Sequence, residues 1–367
     1  MQVHSKISIT KGERNMKNRV MFLALLICVA TAVVATSVDA QNKRIGTSAG
    51  TELLVPVGAR DLAMGGSSIA TSVGVEAIHW NPAGLGNMKS SAEGMFSHMT
   101  YIADIGVNYG AVGAAFGDFG IVALSVKSFD FGRIPLTSED DPDGRAGRFF
   151  SPAFVTIGLT YARSLTDAIA VGGTIKAISE QIDQVSASGM AIDFGIQYKG
   201  LVGVRGLNLG VSLKNVGSQM KYDGPGLYRL ALSSDGRRPE QRYKSEAASF
   251  ELPSLVEIGL AYEGATVDNF MWNLNGTFSN NNLYLDEYKL GGEVGYQLDA
   301  VKIFGRAGMG FIPTAETIAG KNENIFGPSF GAGLVYAAQG ITVTVDYAYR
   351  QVEFFDANNV LSLKFGF

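Results

Sequence analysis

Val360-Leu361-Ser362-Leu363-Lys364-Phe365-Gly366-Phe367 closes the chain. Leu361, Leu363, Phe365 and Phe367 fall on one parity, and Ser362, Lys364 and Gly366 on the other. An extended backbone of period two puts these sets on opposite faces of a sheet. In water, an apolar edge strand that stops on an aromatic residue invites aggregation. In an outer-membrane barrel the last strand closes on the first, and the terminal aromatic joins the interfacial girdle. The expected fold class is therefore all-β: an antiparallel transmembrane β-barrel.

The bulk composition agrees with this. Of 367 residues, 46% are hydrophobic, only 17% are charged, and 46 are glycine. Low charge with abundant glycine and aromatics suits strands that face lipid on one side and polar groups on the other. A net charge of −4 lacks the basic stripe of a nucleic-acid binder. Lys17 and Arg19, the apolar run 20–34 and Val38-Asp39-Ala40 before Gln41 read as a signal peptide over residues 1–40. Met16 is an alternative start, and an uncleaved anchor is the rival reading. The only cysteine, Cys28, falls in this segment, so the mature chain has no disulfide or thiol chemistry. No later stretch is long and apolar enough for a spanning helix, which leaves the barrel as the main membrane architecture.

From Ala92 onward, alternating segments recur at barrel-strand length, about 9–11 residues each. Fourteen are expected, starting near residues 92, 104, 120, 152, 168, 188, 206, 254, 269, 288, 300, 328, 340 and 359. In the second, Ile105, Val107, Tyr109 and Ala111 alternate with Gly106, Asn108 and Gly110, the apolar set taking the lipid parity. Tight turns at 117–120, 164–167, 298–300 and 338–340 trade places with longer connections at 132–151, 217–252, 279–287 and 313–327. That rhythm fits an even barrel with both ends in the periplasm. Lys127, Lys176, Asp193, Lys214, Glu257, Lys289, Glu293, Lys302, Arg306, Asp346 and Lys364 all take the polar parity of their strands. A Lys or Arg facing the bilayer midplane costs about 2–4 kcal/mol, so this bias is expected of a lumen.

Residues 41–91 break the alternation. They are expected to form a plug with small helices inside the lumen, ahead of a barrel spanning 92–367. Val75 to Trp80 suits a helical turn that Asn81-Pro82 ends. Two motifs stand out: Gly58-Ala59-Arg60-Asp61-Leu62-Ala63-Met64-Gly65-Gly66 and Trp80-Asn81-Pro82-Ala83-Gly84-Leu85. Their physical reading is plug architecture: Gly65 and Gly66 allow tight turns, Pro82 fixes φ, and Arg60 is placed to pair with a lumen carboxylate.

This motif pair resembles the PorV/PorQ family of outer-membrane proteins, relatives of the FadL-like fatty-acid transporters. The resemblance covers about thirty residues in detail and implies a fourteen-stranded barrel with an N-terminal plug in the outer membrane of a Gram-negative-type bacterium. For the PorV/PorQ branch it implies a non-enzymatic role in type IX secretion, in which secreted cargo proteins or secretion components are bound, shuttled or tethered. For the wider FadL-like group it implies uptake of long-chain fatty acids or other hydrophobic molecules.

Neither catalytic residues nor a metal site or cofactor is expected. Of His4, His79 and His98 only His98 lies in an expected strand, without a marked partner. The acidic run Glu139-Asp140-Asp141-Pro142-Asp143-Gly144 lacks the spacing of a calcium loop and reads as a solvated loop. Lipid, lipopolysaccharide and proteins are the expected partners, with no nucleic acid. Tyr222, Tyr228, Arg237, Arg238, Arg242 and Tyr243 fall in the longest connection. Tyr and Arg are enriched at binding hot spots, so this loop is the expected partner-binding surface.

Overall fold

The computed structural model describes residues 47–138, 140–231, 239–264, 269–313, 317–318, 321–322 and 324–367. The expected signal peptide and Arg237 and Arg238 lie outside the described residues, as does Glu139. No described helix is long and apolar enough to cross a membrane.

Fourteen antiparallel strands form one closed barrel. They are β1 Ala92–Thr100, β2 Gly106–Ala115, β3 Ile121–Asp130, β4 Ala153–Ser164, β5 Ile169–Ile182, β6 Val185–Lys199 and β7 Leu207–Gly217. β8 Leu255–Glu263, β9 Phe270–Asn281, β10 Glu287–Leu298, β11 Val301–Phe311, β12 Phe326–Ala338, β13 Ile341–Val352 and β14 Asn358–Gly366 follow. The largest departure from the sequence expectation is β6, which begins at Val185 rather than near 188. The terminal strand closes on the first, from Glu93↔Gly366 to Thr100↔Asn359.

The outward parity is apolar. Ile157, Leu159, Phe194, Ile196, Leu274, Leu334 and Leu361 are all exposed. Tyr161, Tyr262, Tyr296, Tyr336 and Phe367 are exposed at the strand ends beside the short turns, as an interfacial girdle requires. Inward, Lys127, Lys176, Asp193, Lys214, Glu257, Glu293, Arg306 and Asp346 are buried. A closed sheet with a lipid-compatible exterior and a charged interior is a membrane-spanning barrel of the outer-membrane type.

Two expectations need correction. In β2 the apolar parity faces inward: Val107, Tyr109 and Ala111 are buried, while Val112 faces out. These side chains pack on Val55, Val57, Leu62, Val75 and Ile78 of the N-terminal segment, so apolar contact exists on both faces of this strand. The alternation of loop lengths is also less regular than expected. Connections 131–152, 218–254 and 312–325 are long, yet 183–184 on the same side is a tight turn, and 282–286 is shorter than its predicted range.

Residues 47–91 fill the lumen. Gly50 precedes a 3₁₀ turn at Thr51–Leu54. Helix α1 is Ala59–Ala63. A 3₁₀ turn at Gly74–Glu76 runs into α2, Ala77–Trp80, and Asn81 caps a further 3₁₀ stretch at Pro82–Asn87. Too short to stand alone, these pieces are held by the wall.

Candidate functional site

Two features meet inside the barrel: a fixed plug, and a cavity above it. The plug motifs account for the first. Asn81 donates from Nδ2 to the carbonyls of Ile69 (2.9 Å) and Ile196 (3.1 Å), and its Oδ1 accepts from the Ala83 N–H at 3.1 Å. One buried amide thus turns the chain, caps the following helix and fastens both to β6. Asp61 is fully buried and accepts from Ser68 Oγ, from Ser72 Oγ at 2.8 Å and from Arg60 at 3.2 Å.

Arg60 carries that anchoring to the wall. Its guanidinium makes a two-pronged contact with Glu293, each arm 3.2 Å long. Arg306 then bonds Glu293 at 2.5 Å and Asp346 at 2.6 Å. Lys364 of the terminal strand faces Glu76 at 3.7 Å. Breaking one member of such a buried chain leaves an uncompensated charge and typically costs about 3–5 kcal/mol. His79 lies edge-on to Trp80, and burial, reinforced by the charges of Lys127, Lys214 and Lys176, holds its imidazole neutral.

The wall glycines complete the fit. A methyl group at Gly195 would overlap the Asn81 amide, at Gly172 the Pro82 carbonyl, at Gly210 the Ile69 carbonyl and at Gly308 the Met64 backbone. At Gly331 it would sit 2.5 Å from Ala63 Cβ. These strand glycines are sockets into which the plug backbone presses. Gly58, Gly65 and Gly66 adopt positive φ of 82°, 67° and 72°.

The second feature is a cavity of about 460 Å³ at the end of the barrel that bears the longer connections. Its floor is plug: Leu54, Val55, Pro56, Leu62, Gly65, Gly66 and Trp80. Trp80 is held by an N–H bond to the Val57 carbonyl at 3.1 Å, with Lys214 Nζ 5.9 Å from its ring. Tyr101, Leu285, Ile312, Ile325 and Phe326 continue the apolar lining. The polar lining comprises Thr51, Ser279, Asn281, Glu287, Lys289, Asn324, Ser329 and Arg350, with the Tyr101 and Tyr284 hydroxyls. An apolar concavity with a few convergent polar groups is the usual form of a small-molecule site.

Of the predicted motif residues, Gly65, Gly66 and Trp80 line the cavity, whereas Gly58, Ala59, Arg60, Asn81, Pro82, Ala83, Gly84 and Leu85 fix the plug. The loop residues divide. Tyr228 and Leu230 pair across a short hairpin with Lys244 and Arg242, and Tyr228 and Tyr243 are exposed. Tyr222 is half-buried and donates to Glu180, so it belongs to the barrel side rather than to an open surface. His98 bonds outward-facing Asn108 at 2.8 Å. The described residues contain no group of three or more His, Cys, Asp or Glu placed to hold a metal. In the acidic loop, Asp141 accepts from the backbone N–H groups of Arg145 and Ala146, both at 2.8 Å.

The fold defines the class: a plugged outer-membrane-type barrel. It is similar to the CymD monoaromatic hydrocarbon channel, at a TM-score of 0.53 and 15% identity over 86% of this chain and 98% of that one. It is similar also to the Ralstonia pickettii toluene transporter TbuX, at 0.51 and 14% over 85% and 98%. A Pseudomonas aeruginosa FadL homologue matches at 0.50 and 12% over 85% and 98%. At these identities the likeness is one of fold. No family model and no curated protein matches the sequence.

Proposed function

We propose that this chain is a non-enzymatic, FadL-like channel of the outer membrane that admits small hydrophobic molecules. Lipid and lipopolysaccharide surround its apolar belt. The observation that carries the proposal is the cavity of about 460 Å³ seated on the plug at the long-loop end of the barrel, its apolar lining including Leu54, Leu62, Trp80 and Phe326. The matching barrels include channels for monoaromatic hydrocarbons and toluene, which supports solutes of that size class. Titration calorimetry of the purified full chain in detergent, with a protein-free micelle blank, tests this. A hydrocarbon such as toluene is expected to bind at one saturable site, and to be lost when Leu62→Trp fills the cavity. Only non-saturable partitioning would reject the proposal.

A second reading is favoured by one feature. The hairpin of Tyr228–Ala231 and Gln241–Lys244 exposes Tyr228, Leu230, Arg242 and Tyr243 beyond the wall. That surface suits capture of secreted proteins or type IX components, as in PorV/PorQ proteins. Deleting residues 223–244 is expected to leave the barrel folded and to abolish partner recovery in pull-downs from membranes. Recovery of the same proteins after deletion would rule this reading out.

A further inference from the structure

We infer that the long connection 218–254 is latched over the plug by a proton held between Glu52 and Glu180, and that loss of this proton lets the connection lift. Three parts of the molecule meet at this carboxyl pair. Glu52 belongs to the plug, Glu180 to β5, and Tyr222, whose hydroxyl donates to Glu180, to the connection. Backbone ties run alongside. Ser48 forms a parallel bridge with Glu251, and the Ala49 N–H donates to the Glu251 carbonyl at 3.1 Å. Ala49 and Leu53 share an apolar cluster with Ile178 and Ala187 of the wall and with Met220 and Leu252 of the connection.

The pair is built to hold one proton. Glu52 is 5% exposed and Glu180 3%, so an ionised form of either is poorly hydrated. Both Glu180 oxygens are taken, one by the Gly50 N–H at 3.0 Å and the other by Tyr222. The Glu52 oxygens have no hydrogen-bond partner of good geometry among the described residues, and the Glu180 carboxyl is the group within reach. Two ionised carboxylates have no donor to place between them, whereas one neutral carboxyl donates to the other. Burial, and then the Glu180 charge, accordingly push the Glu52 carboxyl up to about 8. The neighbouring cations do not replace the proton. Lys127 on β3 gives partial relief, but its Nζ donates to the Val55 carbonyl at 2.5 Å. Lys176 is bound to Asp193 at 2.5 Å and to Asn215 at 2.8 Å, and Lys221 on the connection to Glu246 at 2.5 Å.

Once the proton leaves, two like charges face each other where water barely reaches, which is costly. Hydration is the available relief, and on the side of the long connections the pair is covered by 218–254. Release of Tyr222 and of the ties at Ser48 and Ala49 admits water while β5 stays in the wall. Burial and the bond to Glu180 raise the Tyr222 hydroxyl as well, so it remains a donor while the carboxyl pair titrates. A local charge change thus biases an element that has two positions, the usual form of a proton switch.

Pulsed electron resonance between nitroxides tests the latch in the purified full chain in micelles. The labels are attached at Gln241→Cys on the connection and Gln351→Cys at the end of β13, both exposed positions, in a Cys28→Ser background. One distance population is expected at pH 6. A second, displaced population should grow as pH rises to 9, half complete near pH 8. Glu52→Gln, whose amide donates to Glu180 at every pH, should keep the pH 6 population throughout. Tyr222→Phe, which cuts the tie of the connection and leaves the carboxyl pair in place, should show the displaced population already at pH 6. A single unchanged population from pH 6 to pH 9 in the labelled chain with Glu52 and Tyr222 intact would overturn the latch, as would the same pH response in Glu52→Gln. No solute is present, so either result is independent of the channel reading.

Discussion

Glu52 shows how much one side chain of the plug can govern. It is buried in the turn Thr51–Leu54, and its carboxylate oxygens have no hydrogen-bond partner of good geometry among the described residues. Glu180 stands nearby, accepting from the Gly50 N–H at 3.0 Å and from Tyr222. Burial, and then the charge of Glu180, push the Glu52 carboxyl up to about 8, against some relief from Lys127. A folded-state pKa above the ordinary 4.5 means the fold holds this proton more tightly than the unfolded chain does. The resulting stability is full below about pH 4.5 and is lost as pH rises toward about 8. The temperature at which the purified protein loses its compact gel mobility should accordingly fall between pH 5 and pH 9. Glu52→Gln should flatten that dependence. An unchanged slope in the variant would show that Glu52 is not its source. Sequence alone marked Arg60 as a lumen ion-pair member, and it is one, but Glu52 and Asp61 carried no signal. The significance of Glu52 lies in a partner as remote as Glu180, and that of Asp61 in burial that no local pattern reveals.

At the scale of elements, the strands were readable because lipid and lumen impose opposite chemistries on the two faces of each one. β14, with Leu361 and Leu363 out and Ser362 and Lys364 in, is the clearest case. β2 misled for a physical reason: its inner face meets Val57, Val75 and Ile78 of the plug, so both faces are apolar and parity alone assigns neither. The abundance of glycine also acquired a meaning that composition did not supply. Strand glycines such as Gly172, Gly195 and Gly308 are where the plug backbone touches the wall. Gly195→Ala would place a methyl group on the Asn81 amide. The expected result is an intact barrel with a loosened plug, seen as faster protease cleavage within residues 58–87 while the strands stay resistant. Unchanged cleavage would mean that the wall yields instead and that the socket is not required.

For the whole molecule, the cavity was beyond the reach of sequence because its walls come from Tyr101, Lys289, Ser329 and Arg350, which only barrel closure brings together. Below it the plug meets the wall on many sides. Its contacts include Met64 against β10 and β11, Ile69 against β7 and β8, Pro82 against β5 and Ala63 against β12. The channel proposal predicts that a solute bound above passes by a shift of this plug. The most direct measurement is uptake of a labelled hydrophobic solute by cells carrying the chain, compared with an Ala59→Cys/Ser362→Cys pair. In the unmodified protein the Ser362 hydroxyl accepts from the Ala59 N–H at 2.8 Å, so a disulfide there would tie α1 to β14. Uptake above a vector control, lost in the oxidised pair and regained on reduction, is the predicted result. No uptake above the control by the unmodified chain would contradict the channel account.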